Sequence, residues 1–267
     1  MLGLPDHVTT CLFDLDGVLT QTAKVHNAAW TQTFDEFLRA RAARTGEPYR
    51  PFDPRDDYND YVDGRPRADG VRTFLASRGI TLPEGSPDDP PDAQTVNGLG
   101  NRKNENLLRR IREHGVEVYP GSVAYVHAAR AVGLSRAVVS ASANTRDVLA
   151  RTGIADLFDA VVDGIVAREQ SLRGKPAPDT YLAGAKLLGA APGQAAVFED
   201  ALAGVEAGRA GGFGFVVGVD RVHHADDLRA HGADVVVSDL AELTAAARRP
   251  APSASPAEGR GGEGNES

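Results

Sequence analysis

The sequence predicts an α/β fold: a doubly wound, Rossmann-like parallel sheet with an all-helical block inserted after the first strand. Three observations carry that expectation. An apolar run at residues 8–13 stops abruptly at Asp14-Leu15-Asp16-Gly17. Residues 22–112 show helical periodicity with no convincing strand. From Val116 onward, short apolar runs alternate with helical stretches, the rhythm of a parallel sheet covered on both faces.

In chain order, Val8, Cys11, Leu12 and Phe13 read as a buried strand, and Gly17 lets the backbone turn sharply after it. A helix is expected from Thr22 to about Ala43, with Trp30, Phe34, Phe37 and Leu38 on one stripe and His26 one turn before Trp30. Residues 47–66 form a loop rich in proline, aspartate and tyrosine. Further helices centre on Val71, Phe74 and Leu75, and on Leu107, Leu108 and Ile111, with Gly79 and Gly115 as stops. Between them, residues 83–94 are an acidic, proline-rich loop. Strands are expected at 137–139, 160–162, 195–198, 215–219 and 235–237, with helices including 122–132, 146–151, 179–188 and 201–209. The tail from Pro250 is dominated by Pro, Ala, Ser, Gly and Glu and is expected to be disordered.

A chain of 267 residues with 42% hydrophobic content can bury a large core, alone or beside a smaller domain. The net charge of -8 argues against nucleic acid or an acidic membrane as partner, so an anionic substrate needs locally placed cations. The single cysteine, Cys11, excludes an internal disulfide and reads as a core residue. No apolar run is long enough to span a bilayer, and residues 1–6 lack a signal-peptide pattern, so the cytoplasm is expected.

In a doubly wound sheet the ligand site lies beyond the carboxyl ends of the strands. That rule selects Asp14 and Asp16, Ser140, and Glu199 with Asp200. Two carboxylates as close as Asp14 and Asp16 need a shared cation or a retained proton if they do more than end a strand. Ser140-Ala141-Ser142-Ala143-Asn144 offers hydroxyls and backbone N–H groups before a helix, which suits phosphate oxygens, while Asn144 also reads as that helix's N-cap. In Gly174-Lys175-Pro176-Ala177-Pro178-Asp179, two prolines restrict the backbone and hold the Lys175 ammonium before the next helix. There it could neutralise phosphate and steady a nucleophilic carboxylate. Val197-Phe198-Glu199-Asp200 repeats the acid-terminated strand, with Asp200 alternatively a helix N-cap. Together these acids make an oxygen-rich site for a hard ion, best magnesium, and no zinc-type Cys/His spacing occurs.

Asp14-Leu15-Asp16-Gly17, Ser140, Lys175 and Glu199-Asp200, in that order, resemble the four motifs of the haloacid dehalogenase-like phosphotransferase superfamily. The resemblance implies a core domain at residues 1–20 and 113–249 and a helical cap domain at 21–112. It implies Asp14 as the nucleophile that forms an aspartyl-phosphate and Asp16 as general acid/base. Magnesium would be held by Asp14, the main-chain carbonyl of Asp16 and Asp200, with Glu199 as an outer partner.

Within the helical block, Thr22, the pattern Ala23-Lys24-Val25-His26-Asn27-Ala28-Ala29-Trp30, Arg67 and Lys103 resemble the beta-phosphoglucomutase-like subgroup. A histidine on an apolar face is commonly just a core residue, and a basic residue on a helix commonly snorkels to water. The resemblance implies instead that His26, Arg67 and Lys103 face substrate, Arg67 holding a second phosphate together with Ser142 and Asn144. The subgroup's lysine between those two is Ala143 here, which removes one cation from that place. His26, titrating near neutrality in its ordinary state, suits a proton-linked role beside Asp16.

The implied activity is conversion of beta-glucose 1-phosphate to glucose 6-phosphate through a bisphosphate intermediate, by a monomer whose only partner is a small sugar phosphate. A phosphatase with the same nucleophile and water as acceptor is the competing reading. A phosphate-binding module with a dead site is disfavoured, because Asp14, Asp16 and Lys175 are all present.

Overall fold

The computed structural model describes residues 2–247; the tail from Pro250 and the last two positions of the second core segment lie outside the described residues. The elements, in order, are β1 (Thr10–Phe13), α1 (Thr22–Thr45), α2 (Arg67–Ser77), α3 (Val96–His114), α4 (Pro120–Ala131), β2 (Ser135–Val139), α5 (Thr145–Thr152), β3 (Ala160–Val162), α6 (Gly164–Glu169), α7 (Asp179–Leu187), β4 (Ala195–Glu199), α8 (Leu202–Ala210), β5 (Phe215–Val219), α9 (Ala225–Ala230), β6 (Val235–Val237) and α10 (Ala241–Ala247). The helices α6, α9 and α10 extend the sequence-based expectation. The expected loop at 47–66 also contains one π-helical turn, Tyr58–Val62, whose buried Tyr58 and Val62 anchor it to the helical block.

The strands form one six-stranded sheet in the order β3-β2-β1-β4-β5-β6, every pair parallel. The chain builds outward from β1 in one direction and from β4 in the other, so the topological switch lies between them. Alternation along each strand feeds two layers. Cys11, Phe13, Ala196 and Phe198 face Tyr125 and Val126 of α4, whereas Leu12, Val139 and Val197 face Tyr181 and Ala185 of α7. Cys11 is fully buried and its thiol is pushed up to about 12, chiefly by that burial, so it is an inert core residue. Among the described residues no helix is long and apolar enough to cross a membrane.

The helical block has its own core. Phe34 stacks on Trp30 at 5.0 Å between centroids and on Phe52 at 5.2 Å, and meets Phe74 at 4.1 Å. These rings join α1 to α2, and a buried hydrogen bond from Asn106 Nδ2 to Thr33 Oγ1 (2.9 Å) joins α1 to α3. The Thr95 hydroxyl caps α3 by accepting from Gly98 N at 2.9 Å. Gly115 ends α3 at φ 75°, in the left-handed region that a glycine enters without strain. The two crossings between block and sheet lie side by side: Gln21 N donates to Glu117 O (2.8 Å) and Tyr119 N to Leu19 O (2.9 Å).

Because Phe34 is fully buried in the ring cluster, Phe34→Ala is expected to cost about 3–5 kcal/mol of unfolding free energy, measured by denaturant titration. A loss below about 1 kcal/mol would mean that the rings do not form the core of the block.

Candidate active site

The parallel register brings together acids that are far apart in sequence. Phe13 of β1 pairs with Phe198 of β4, so Asp14 and Glu199 leave the sheet side by side, and Asp14 N donates to Phe198 O at 2.9 Å. One carboxylate oxygen from each of Asp14, Glu199 and Asp200 lies within 4.8 Å of the others, and all three residues are buried. Two glycines leave room for this convergence. A Cβ on Gly17, itself at φ +87°, would fall 1.7 Å from Asp200 Oδ2, and one on Gly204 would fall 1.8 Å from Glu199 Oε1.

Lys175 closes the cluster. Its side chain is 1% exposed, and its ammonium donates to Asp14 Oδ1 at 2.5 Å and to Glu199 Oε1 and lies 4.9 Å from the centre of the Tyr181 ring. Glu199 is fully engaged: Tyr181 Oη donates to its Oε1 at 3.0 Å and Ala201 N to its Oε2 at 2.9 Å. Burial pushes Asp14 well above the usual carboxylate range, Lys175 opposes this, and Glu199 and Asp16 add to it. Asp200 is raised in the same way, by burial first and then by Asp63 and Glu199. Lys175 moves above its ordinary value because Asp14 and Glu199 outweigh the burial that would lower it. Burial and mutual repulsion thus resist full ionisation of Asp14 and Asp200, and ionising all three carboxylates against one ammonium would leave two excess negative charges, which a divalent cation would balance.

Asp16 turns away from that cluster. Its Oδ1 accepts from the Thr22 hydroxyl and lies 3.7 Å from His26 Nε2, both on α1. The other imidazole nitrogen, Nδ1, is 3.1 Å from Lys103 Nζ, which also stands 4.8 Å over the Trp30 ring. Lys103 therefore does not snorkel to solvent; it is 4% exposed. The expectation that His26 titrates near neutrality is corrected: burial, with Lys103 adding, pushes it down to about 4, so it is neutral at physiological pH. Burial also lowers Lys103 to about 7, Asp16 opposing and Arg67 assisting.

Asp14, Asp16 and Asp200 line a cavity of about 320 Å³ together with His26, Arg67, Lys103 and the loop from Ser140 to Asn144. In that loop Ser140 is 2% exposed and its Oγ accepts from Ser142 N at 3.1 Å, while Ala141 contributes to the cavity wall. Of the two capping readings, one stands and one is corrected. Asn144 occupies the N-cap position of α5, but its side chain makes no cap bond; Nδ2 reaches instead to Asn104 Oδ1 in α3 at 2.9 Å. Asp200 is not an N-cap, since Ala201 occupies that position before α8.

Three further residues were not singled out from sequence. Tyr181 orients Glu199, Asn104 ties the loop to the helical block, and Asp63, pushed up to about 7 by burial, lines the cavity. Only Asn104 carried a usable signal, as the neighbour of Lys103 on an inward helix; the other two act through contacts across the fold.

The haloacid dehalogenase-like hydrolase family model matches residues 8–212. Over 246 residues the chain is 58% identical to the beta-phosphoglucomutase of Mycobacterium bovis, covering 91% of this chain and 94% of that one. The solved beta-phosphoglucomutase of Clostridium difficile aligns with a TM-score of 0.68 at 25% identity, over 88% of this chain and 93% of the other. A mutant of CbbY from Rhodobacter sphaeroides, crystallised with xylulose-(1,5)bisphosphate, shares the fold at TM-score 0.64 and 21% identity, over 88% and 96% of the two chains. With that match and the convergence of Asp14, Lys175, Glu199 and Asp200 at the carboxyl ends of one parallel sheet, the chain belongs to the haloacid dehalogenase-like hydrolase family.

Proposed function

We propose that this protein is a beta-phosphoglucomutase, converting beta-glucose 1-phosphate to glucose 6-phosphate through a phosphorylated Asp14. The observation that carries this reading is the single cavity whose walls come from two sources: the acids Asp14, Asp16 and Asp200 from the sheet, and the cations Arg67 and Lys103 from the helical block. A sugar carrying two phosphates has matching groups for both. The 58% identity to a beta-phosphoglucomutase across nearly the whole chain supports the same reading.

Asp14 and Asp200, with the main-chain carbonyl of Asp16 and with Glu199 behind them, form the oxygen-rich set suited to magnesium. When bound, the ion supplies charge neutralisation between carboxylate and phosphate. The chain's own groups do the rest. Lys175 holds the Asp14 carboxylate in place through the 2.5 Å contact and offsets phosphate charge. Asp16 takes the proton from the sugar 6-hydroxyl as that oxygen attacks the Asp14 phosphoryl group and the acyl-phosphate bond breaks. The resulting bisphosphate turns over in the cavity. The Asp14 carboxylate then attacks the phosphorus on C1, and Asp16 returns the proton to the departing O1.

Thr22 and His26 favour the mutase over a phosphatase, because they place the proton-transfer group under control of the helical block. In this proposal residues 21–112 act as a cap that closes over the sugar and excludes water, swinging about the paired crossings at Gln21 and Tyr119. The proposed enzyme is a monomer, with nucleophile, proton carrier and phosphate-facing cations all contributed by one chain's own cavity lining, and it acts in the cytoplasm, where sugar phosphates are retained by their charge.

Incubation with magnesium, beta-glucose 1-phosphate and a trace of glucose 1,6-bisphosphate is expected to yield mainly glucose 6-phosphate; release of phosphate alone would sink the mutase in favour of the phosphatase. Asp14→Asn is expected to abolish isomerisation and phosphate release alike, by at least about 1,000-fold, and to leave no hydroxylamine-labile phosphoprotein. Because Lys103 loses its proton as pH rises through about 7, kcat/KM is expected to fall above that pH and the fall to vanish in Lys103→Met. The substrate's own ionisation near pH ~6 is common to both proteins, so an unchanged profile in the variant would remove Lys103 from phosphate binding.

A further inference from the structure

Arg65, Arg67 and Arg168 all line the catalytic cavity, and none of the three makes a side-chain hydrogen bond or ion pair with the described residues. Arg65 Nε is buried without an acceptor, and burial together with the charge of Arg168 lowers Arg67 below its ordinary value. A buried guanidinium N–H with nothing to donate to costs free energy unless a ligand supplies the acceptor. Arg65 and Arg168 also line a second cavity, of about 610 Å³, that shares Pro66, Ala141 and Gly164 with the first. There the neighbouring arginines are already satisfied, Arg72 by Asp69 and Glu84, and Arg173 by Asp179. Arg65 and Arg168 thus stand unpaired where the two cavities meet, and Arg67 lines the first alone.

The position of Arg168 is built, not incidental. Gly164 N, at the start of α6, donates to Ser142 O at 3.0 Å, and a Cβ at Gly164 would lie 2.5 Å from Ala141 O. The helix is therefore pressed directly onto the Ser140 to Asn144 loop. Its orientation is set by Asp163, whose Oδ1 accepts from Ile165 N and Val166 N while Oδ2 takes Arg146 Nε at 2.9 Å. Arg168 is four residues after Gly164 and so shares the face turned to that loop. The loop itself presents Ala143, with no charge, to the same cavity.

We propose that Arg168 of α6, with Arg65 of the segment leading into α2, supplies the cationic grip on the phosphate that is not being transferred, working beside Arg67. The assignment rests on the sugar-phosphate reading above and adds two specificity-determining residues to it. The ligand class is a sugar bisphosphate: one phosphate faces Asp14 and Lys175, and the other satisfies the three guanidinium groups. A planar guanidinium binds phosphate oxygens in pairs, so arginine and lysine are not equivalent at such a place.

The test measures binding in Asp14→Asn protein with magnesium, by calorimetry, using glucose 1,6-bisphosphate and a small aryl phosphate that reaches only the Asp14 side. Arg168→Ala is expected to weaken the bisphosphate about tenfold and the aryl phosphate several-fold less, and Arg65→Ala to act in the same direction. Arg168→Lys is expected to recover part of the loss, and Ala143→Lys placed in the Arg168→Ala protein to recover more, since it returns a cation to the same wall. Arg168 is exposed on α6, so its replacement leaves the fold intact, checked by an unchanged melting temperature. Equal weakening of both ligands, no weakening, or no recovery with Ala143→Lys overturns the assignment. Because the binding assay involves no turnover, release of phosphate without isomerisation by the unmodified enzyme would end the mutase reading without touching this result.

Discussion

A buried ammonium shared by two carboxylates is the contact on which the rest of this structure depends. Lys175 lies between Asp14 and Glu199 at 3% exposure, with Glu199 wholly buried and Asp14 reaching only the cavity wall. Desolvating such groups costs several kcal/mol each, and removing one partner from a buried pair typically costs about 3–5 kcal/mol. The fold therefore has to supply satisfied partners on every side. It does so with the Tyr181 hydroxyl and the Ala201 N–H on Glu199, and with space cleared by Gly17 and Gly204. Its acids outnumber its one ammonium, and burial resists their full ionisation, so a cation would be favoured there.

That rigidity contrasts with the surroundings of Asp16. Its contacts run to Thr22 and His26 on α1, and from His26 onward to Lys103 on α3. In the proposed mechanism, a nucleophile fixed by the sheet and a proton carrier fixed by the helices divide the chemistry across the crossings near Gln21 and Tyr119. Relative movement of sheet and helices would leave Asp14 where it is and change what Asp16 can reach. Discrimination between a sugar hydroxyl and water then follows from whether the chamber is closed.

The fold and the catalytic cluster were largely legible in the residue order. The strand at residues 160–162 and those at 215–219 and 235–237 matched their observed bounds, because short β-branched runs flanked by turn residues have few alternatives. Asp14, Ser140, Glu199 and Asp200 were legible for a related reason: each ends or adjoins a strand, and parallel topology sends every strand end to the same edge, while Lys175 was legible from the two prolines that fix it ahead of α7. The π-helical turn at Tyr58–Val62 was not, since its hydrogen bonds are local but its stability comes from rings and aliphatic groups supplied by distant helices.

What only the assembled chain decided was the state of each group, as distinct from its place. Nothing around His26 in sequence says that it is neutral; burial against Lys103, 77 residues away, does. Nothing beside Asp63 marks a carboxyl pushed up to about 7, and nothing near Asn144 says that its amide leaves the helix end to reach Asn104. Local pattern dictates where backbone turns and which side chains leave a strand, because those follow from steric and hydrophobic periodicity within a few residues. Protonation, desolvation and hydrogen-bond partnership are set by whatever the remainder of the molecule brings within a few ångströms, and distance along the chain carries almost no information about that.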